Sequence, residues 1–141
     1  MEYRKFDKTI VARLNKGEEI LEQIKNIALK EKIKLASISA IGATNDFTVG
    51  AFSTATNTYD AHEFKGDHEI LSLLGNITTY NGEFYCHLHM TAGNMKGEAV
   101  GGHLNRAVIS VTCEIFINVL DGTVDRVEDP DNGIKVFKFD D

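Results

Sequence analysis

Proline occurs once in these 141 residues, at Pro130, and cysteine twice, at Cys86 and Cys113. Two cysteines make no disulfide framework. Both fall inside apolar, strand-like runs, which reads as buried free thiols. No apolar run approaches the ~18 residues of a membrane span, and Met1 to Lys8 is charged, with no apolar signal core. A cytoplasmic protein without a membrane segment is therefore expected. Also missing are a Gly-x-Gly-x-x-Gly running from strand into helix, a Gly-Lys-Ser/Thr step and a Gly-x-Ser-x-Gly elbow, which removes the dinucleotide, phosphate-loop and serine-nucleophile signatures. Positive charge is scarce. Fifteen Lys and Arg against 21 Asp and Glu leave a net charge of −6, a balance that disfavours tight binding to phosphates. The positive charge present gathers early: residues 1–40 carry nine Lys/Arg and six Asp/Glu. A basic face for an anionic partner and a solvated helix face both fit that bias.

The length suits one domain, and neither a linker nor an internal repeat divides it, so residues 1–141 read as a single unit. Thr9 to Leu14 reads as a strand. Gly17 to Lys32 reads as a helix, with Ile20, Ile24, Ile27 and Ala28 at helical spacing. Beyond it the chain is largely β. Strands are expected over Leu35–Ile41, Phe47–Ser53, Thr58–Phe64, Glu69–Tyr80, Glu83–Thr91 and Val108–Leu120, and the tail from Gly133 to Phe139 alternates imperfectly. Asn81-Gly82 is a hairpin turn, because that pair accepts positive φ, and Asp121-Gly122 offers another. One early helix with many strands predicts an α+β fold built on a mainly antiparallel sheet.

The chemistry concentrates in Cys86-His87-Leu88-His89 and Gly101-Gly102-His103-Leu104. Side chains alternate along a strand, so Tyr85, His87 and His89 share one face while Phe84, Cys86 and Leu88 share the other. That places Cys86 opposite the histidines and argues against a Cys-His catalytic pair. A turn through Ala92–Glu98 would let a return strand bring His103 beside His87 and His89, with Gly101 and Gly102 permitting close backbone approach. Three imidazoles are a common protein half of an open zinc site, and they also suit nickel, copper or iron. The plainer reading is a set of structural histidines on a half-buried strand. Glu114 shares a face with Ser110 and Thr112. Turned toward the histidines it would orient a ligand or act as a base, with Tyr85 assisting; otherwise it is a solvent-side glutamate. His62 and His68, set among Asp60, Glu63, Asp67 and Glu69, read as a solvated loop. A metal-dependent hydrolase or lyase built on a three-histidine zinc is the alternative to a binding protein.

Taken in order, Glu69-Ile70-Leu71-Ser72-Leu73-Leu74-Gly75-Asn76-Ile77, His87-Leu88-His89, Gly101-Gly102-His103-Leu104 and Thr112-Cys113-Glu114 resemble the plants and prokaryotes conserved (PPC) domain, from the first strand to about Asn132. The resemblance implies an α+β fold with an antiparallel sheet, assembly as a homotrimer, and a metal site at His87, His89 and His103 of the kind found in stand-alone prokaryotic members. It also implies association with transcription-related proteins, as in plants, where the domain accompanies AT-hooks. This chain has no Arg-Gly-Arg-Pro hook, the element that would read a minor groove through basic residues. Direct DNA contact therefore lacks its physical carrier, and protein or small-ligand contacts are the expected mode of action.

Overall fold

The computed structural model describes residues 1–139. The α+β expectation is met by one helix and a dominant antiparallel sheet. In chain order the elements are β1 (Glu2–Phe6), β2 (Thr9–Asn15), α1 (Ile20–Lys30), β3 (Ala36–Ser53), β4 (Thr58–Tyr80), β5 (Glu83–Asn94), β6 (Ala99–Val119), β7 (Asp125–Glu128) and β8 (Lys135–Lys138). The main sheet runs β1-β2-β6-β3-β4-β5, and β5 also pairs with β6. The pairings β3–β4, β4–β5, β5–β6 and β6–β3 thus run round a closed ring, which removes free strand edges there.

The helix lies where the periodicity places it. Glu19 caps it by accepting the Glu22 backbone N–H at 2.8 Å, which satisfies one of the orphan donors of the first turn. The same carboxylate accepts the Ala107 N–H at 3.0 Å, so one side chain both starts the helix and ties it to β6. Ile20, Ile24, Ile27 and Ala28 are buried in one core with Ile38, Ile77, Leu88, Met90, Ile115 and Ile117.

Several expected strands prove to be parts of longer ones. Leu35–Ile41 and Phe47–Ser53 merge into β3, and Thr58–Phe64 and Glu69–Tyr80 merge into β4. Register shifts at Ala40/Gly42 and Thr44/Asp46 explain the apparent breaks, since a bulge interrupts the apolar alternation without ending the strand. The expected loop around His62 and His68 is accordingly corrected: both lie in β4. The His68 ring stands edge-on to Phe47, and its Nδ1 lies 2.7 Å from the Gly66 carbonyl.

Directly opposed residues share a sheet face. Ile38, Gly75 and Leu88 are opposed in this way, as are Ile38 and Ile117, and they form the core face. Ser39, Leu74, His89 and Phe116 stand on the outer face, away from the helix. The small β7–β8 hairpin packs against β4.

Candidate metal centre

β5 carries Tyr85, His87 and His89 outward, as the alternation requires. The turn after Asn94 is closed by Asn94 itself. Its side-chain carbonyl accepts the N–H groups of Lys96 and Glu98 at 2.9 and 3.0 Å, and Gly97 takes a positive φ of 79°. The return strand β6 then sets His103 directly opposite His89. β6 can lie this close to β3 because residue 102 is glycine: a Cβ there would collide with the Gly50 carbonyl oxygen. Gly75 plays the same part behind His87, whose carbonyl oxygen occupies the space a Cβ would need.

The result is a tight cluster. His87, His89 and His103 each offer one ring nitrogen, and all three nitrogens lie within 4.8 Å of one another. Ring centroids are 5.0 Å apart for His87–His89, 5.1 Å for His87–His103 and 5.7 Å for His89–His103. The two Nε2 atoms of His87 and His89 are separated by 3.2 Å. Zinc–nitrogen bonds of about 2.0–2.1 Å at a tetrahedral angle put ligand nitrogens about 3.3–3.4 Å apart, so this separation serves a shared hydrogen or one edge of a ligand tetrahedron. The donor set fits a divalent transition metal.

Protonation favours the same use. Burial first, then His103, His89 and the Arg126 guanidinium, pull the His87 imidazole down from 6.5 to about 4. Burial and His89 also lower His103. Metal binding needs neutral imidazole, and near pH 7 these two rings are neutral without any metal.

The cluster floors a cleft of about 710 Å³. One wall is the β3–β4 arm, with Phe52 and Tyr59; the opposite wall is the C-terminal hairpin, with Ile134 and Lys135. Tyr59 donates to the Asn105 side chain at 2.5 Å and stands edge-on to His103. The hairpin is pinned by Arg126, whose guanidinium lies between the rings of Tyr85 and Phe137, 4.6 Å from each centroid. It donates to Thr78 Oγ1 at 2.8 Å, Asn76 Oδ1 at 2.8 Å and the Lys135 carbonyl at 2.6 Å. Burial lowers its pKa, but a guanidinium remains charged.

Tyr85 lines the cleft beside His87. Glu114 does not: it stands eleven residues beyond His103 on β6, opposite Arg13 and Ile41, in a shallow depression with Ile41, Leu71 and Val111. Within one chain it does not reach the trio, because the strand carries it away at ~3.3 Å per residue. The thiols lie off the site; burial pushes both Cys86 and Cys113 up to about 12, and both are free. Phe52, Tyr59, Arg126 and Lys135 carry no local motif and were not legible as site residues.

The family model of the Plants and Prokaryotes Conserved (PCC) domain matches residues 1–121. No curated protein matches. Solved structures do. A candidate DNA-binding protein of Bacteroides thetaiotaomicron superposes with a TM-score of 0.95 at 30% identity, over 98% of this chain and 96% of that one. A metal-containing protein of Archaeoglobus fulgidus gives a TM-score of 0.88 at 32% identity, over 98% and 97%. A plant- and prokaryote-conserved protein of Pyrococcus horikoshii gives 0.84 at 28% identity, over 99% and 95%.

Proposed function

The chain belongs to the Plants and Prokaryotes Conserved domain family, and from that premise we propose that it is a homotrimeric metal-binding protein of the cytoplasm. It holds zinc, or another divalent transition metal, through His87, His89 and His103, and acts through protein or small-ligand contacts in transcription-associated work. The observation that carries the reading is the convergence of three ring nitrogens within 4.8 Å, supported by the metal-containing neighbour from Archaeoglobus fulgidus. Zinc is the conservative choice because it accepts three nitrogens and one further ligand. When bound, such a metal polarises whatever occupies its fourth position. Tyr85 contributes from beside His87, as one wall of the cleft, and Glu114 is no longer part of the assignment within a single subunit.

The trimer has support in the outer sheet face. Ile41, Leu71, Leu74, Val111 and Phe116 are exposed there, and apolar side chains gathered on one sheet face are what a contact with further copies would cover. Direct DNA binding has less behind it than the names of some neighbours imply, since the net charge is −6 and no hook is present; a salt titration of DNA affinity checks this. For the hydrolase or lyase reading, Tyr85 stands in the cleft with the histidines, and Glu114 does not within a single subunit.

Elemental analysis of dialysed protein, paired with its mass by light scattering, tests the proposal. The expected result is one metal per subunit, three chain masses per particle, and loss of the metal in His87→Ala. Absence of stoichiometric metal, or equal metal content in His87→Ala, ends the metal assignment; a monomeric mass ends the trimer.

A further inference from the structure

We propose that the cleft over the histidines binds a small organic monocarboxylate with an apolar body, and that Lys135 of the C-terminal hairpin recognises its charge. The inference rests on the metal reading above and adds the class of ligand.

Three observations converge on it. The first is size and lining. About 710 Å³ lies within the ~300–1,000 Å³ of small-molecule sites, and Phe52, Tyr59, Tyr85 and Ile134 give it apolar walls against which a ring or short chain packs.

The second is charge. Three neutral imidazoles leave the full double charge of a divalent metal uncompensated, so the open position favours an anion. Lys135 lies in the wall with its Nζ 4.4 Å from the Tyr80 ring centroid and 5.6 Å from that of Tyr85. Among the described residues no carboxylate stands within ion-pair distance of it. Its ammonium is thus held by ring faces, which attract a cation without neutralising it.

The third is the sign of what else is there. Glu128 also lines the cleft, opposite Lys135 across the hairpin, and accepts the Tyr80 hydroxyl at 3.0 Å. A fixed carboxylate in the wall penalises a second negative charge on the ligand, which selects a monoanion over a phosphate dianion. Arg126 does not compete for the ligand, because its guanidinium donates to Thr78, Asn76 and the Lys135 carbonyl. It fixes the backbone from which Lys135 projects. The hairpin that carries Lys135 follows residues 1–121, the stretch matched by the family model.

The test uses the full chain loaded with Co²⁺, whose d–d absorption reports both occupancy and coordination. Benzoate is the probe, with benzyl alcohol and inorganic phosphate as comparisons, followed by spectrum and calorimetry. Benzoate should bind once per subunit and change the cobalt spectrum. It should bind at least about tenfold more tightly than the alcohol, as expected for a charge-assisted contact. Lys135→Met should weaken benzoate by a similar factor while leaving cobalt stoichiometry and alcohol binding unchanged. A cobalt band with no benzoate response, equal affinity for benzoate and alcohol, a stronger response to phosphate, or unchanged benzoate affinity in Lys135→Met each overturns this inference and leaves the metal site standing. Absence of the cobalt band overturns both.

Discussion

Acidifying the metal-free protein from pH 7 to pH 5 should destabilise it through the histidine cluster. The His87 imidazole is held down at about 4, against 6.5 for a free ring. A depressed histidine favours the fold only while the unfolded ring is also neutral, so its contribution is complete above 6.5 and is lost as pH falls toward 4. At pH 5 the unfolded ring is almost fully protonated and the folded one is not. Linkage between pH 7 and pH 5 then amounts to about 2 kcal/mol for this ring, reduced to about 1 kcal/mol because the site opens to solvent and is screened. For a domain of this size that is a fall of about 3–4 °C in Tm. His103 is shifted in the same direction, by burial first and then by His89, and its contribution is lost on acidification in the same sense. Asp46, held below the usual carboxylate range by Arg106 and Lys65, contributes a loss only below pH 3.8, outside this window. Metal reverses the picture: at 100 times its dissociation constant it adds about 2.7 kcal/mol at pH 7, and the gain shrinks on acidification as protons compete for the nitrogens. Scanning calorimetry of metal-free wild type and His87→Gln at the two pH values decides the matter. Equal Tm at pH 7 and pH 5, or a slope undiminished in His87→Gln, refutes the reasoning.

Three further outcomes are expected. Gly102→Ala sets a Cβ against the Gly50 carbonyl oxygen and should cost about 1–3 kcal/mol, read from denaturant melts, with weaker metal retention because His103 is displaced. Glu19→Ala removes both the helix cap and the acceptor for the Ala107 N–H and should cost about 1–2 kcal/mol; Glu19→Gln, which keeps an acceptor oxygen, should recover part of that in the same melts. Cys113, fully buried and pushed up to about 12, should react with a thiol reagent at pH 8 only on unfolding, whereas half-buried Cys86 should label before it; rapid labelling of Cys113 in the native protein would show the burial argument to be wrong.

Much of the local structure was legible because it depends on neighbours in the chain. The 3.6-residue spacing of Ile20, Ile24 and Ile27 named the helix, the alternation through Glu83–His89 separated the histidine face from the Cys86 face, and Asn81-Gly82 named a turn whose residues both take positive φ, 53° and 77°. The strand lengths were not legible, because the bulges in β3 and β4 break the alternation while hydrogen bonding continues. β1 was missed because Glu2–Phe6 lies at the sheet edge with four of five residues exposed, so no apolar pattern marks it. Glu114 was placed on the correct face of its strand, yet a face does not specify which neighbour it meets eleven residues away.

By itself the sequence determined which residues could share a surface: His87 with His89 through the strand period, and His103 through a short glycine-bearing turn only a few residues on. Only the tertiary structure decided what stands over them. The cleft is made where the β3–β4 arm and the C-terminal hairpin, separated by some seventy residues of chain, are brought to the same end of the sheet. Long-range packing such as Arg126 between Tyr85 and Phe137 leaves no periodic trace in sequence, because the contact depends on where strands end and not on how their side chains alternate.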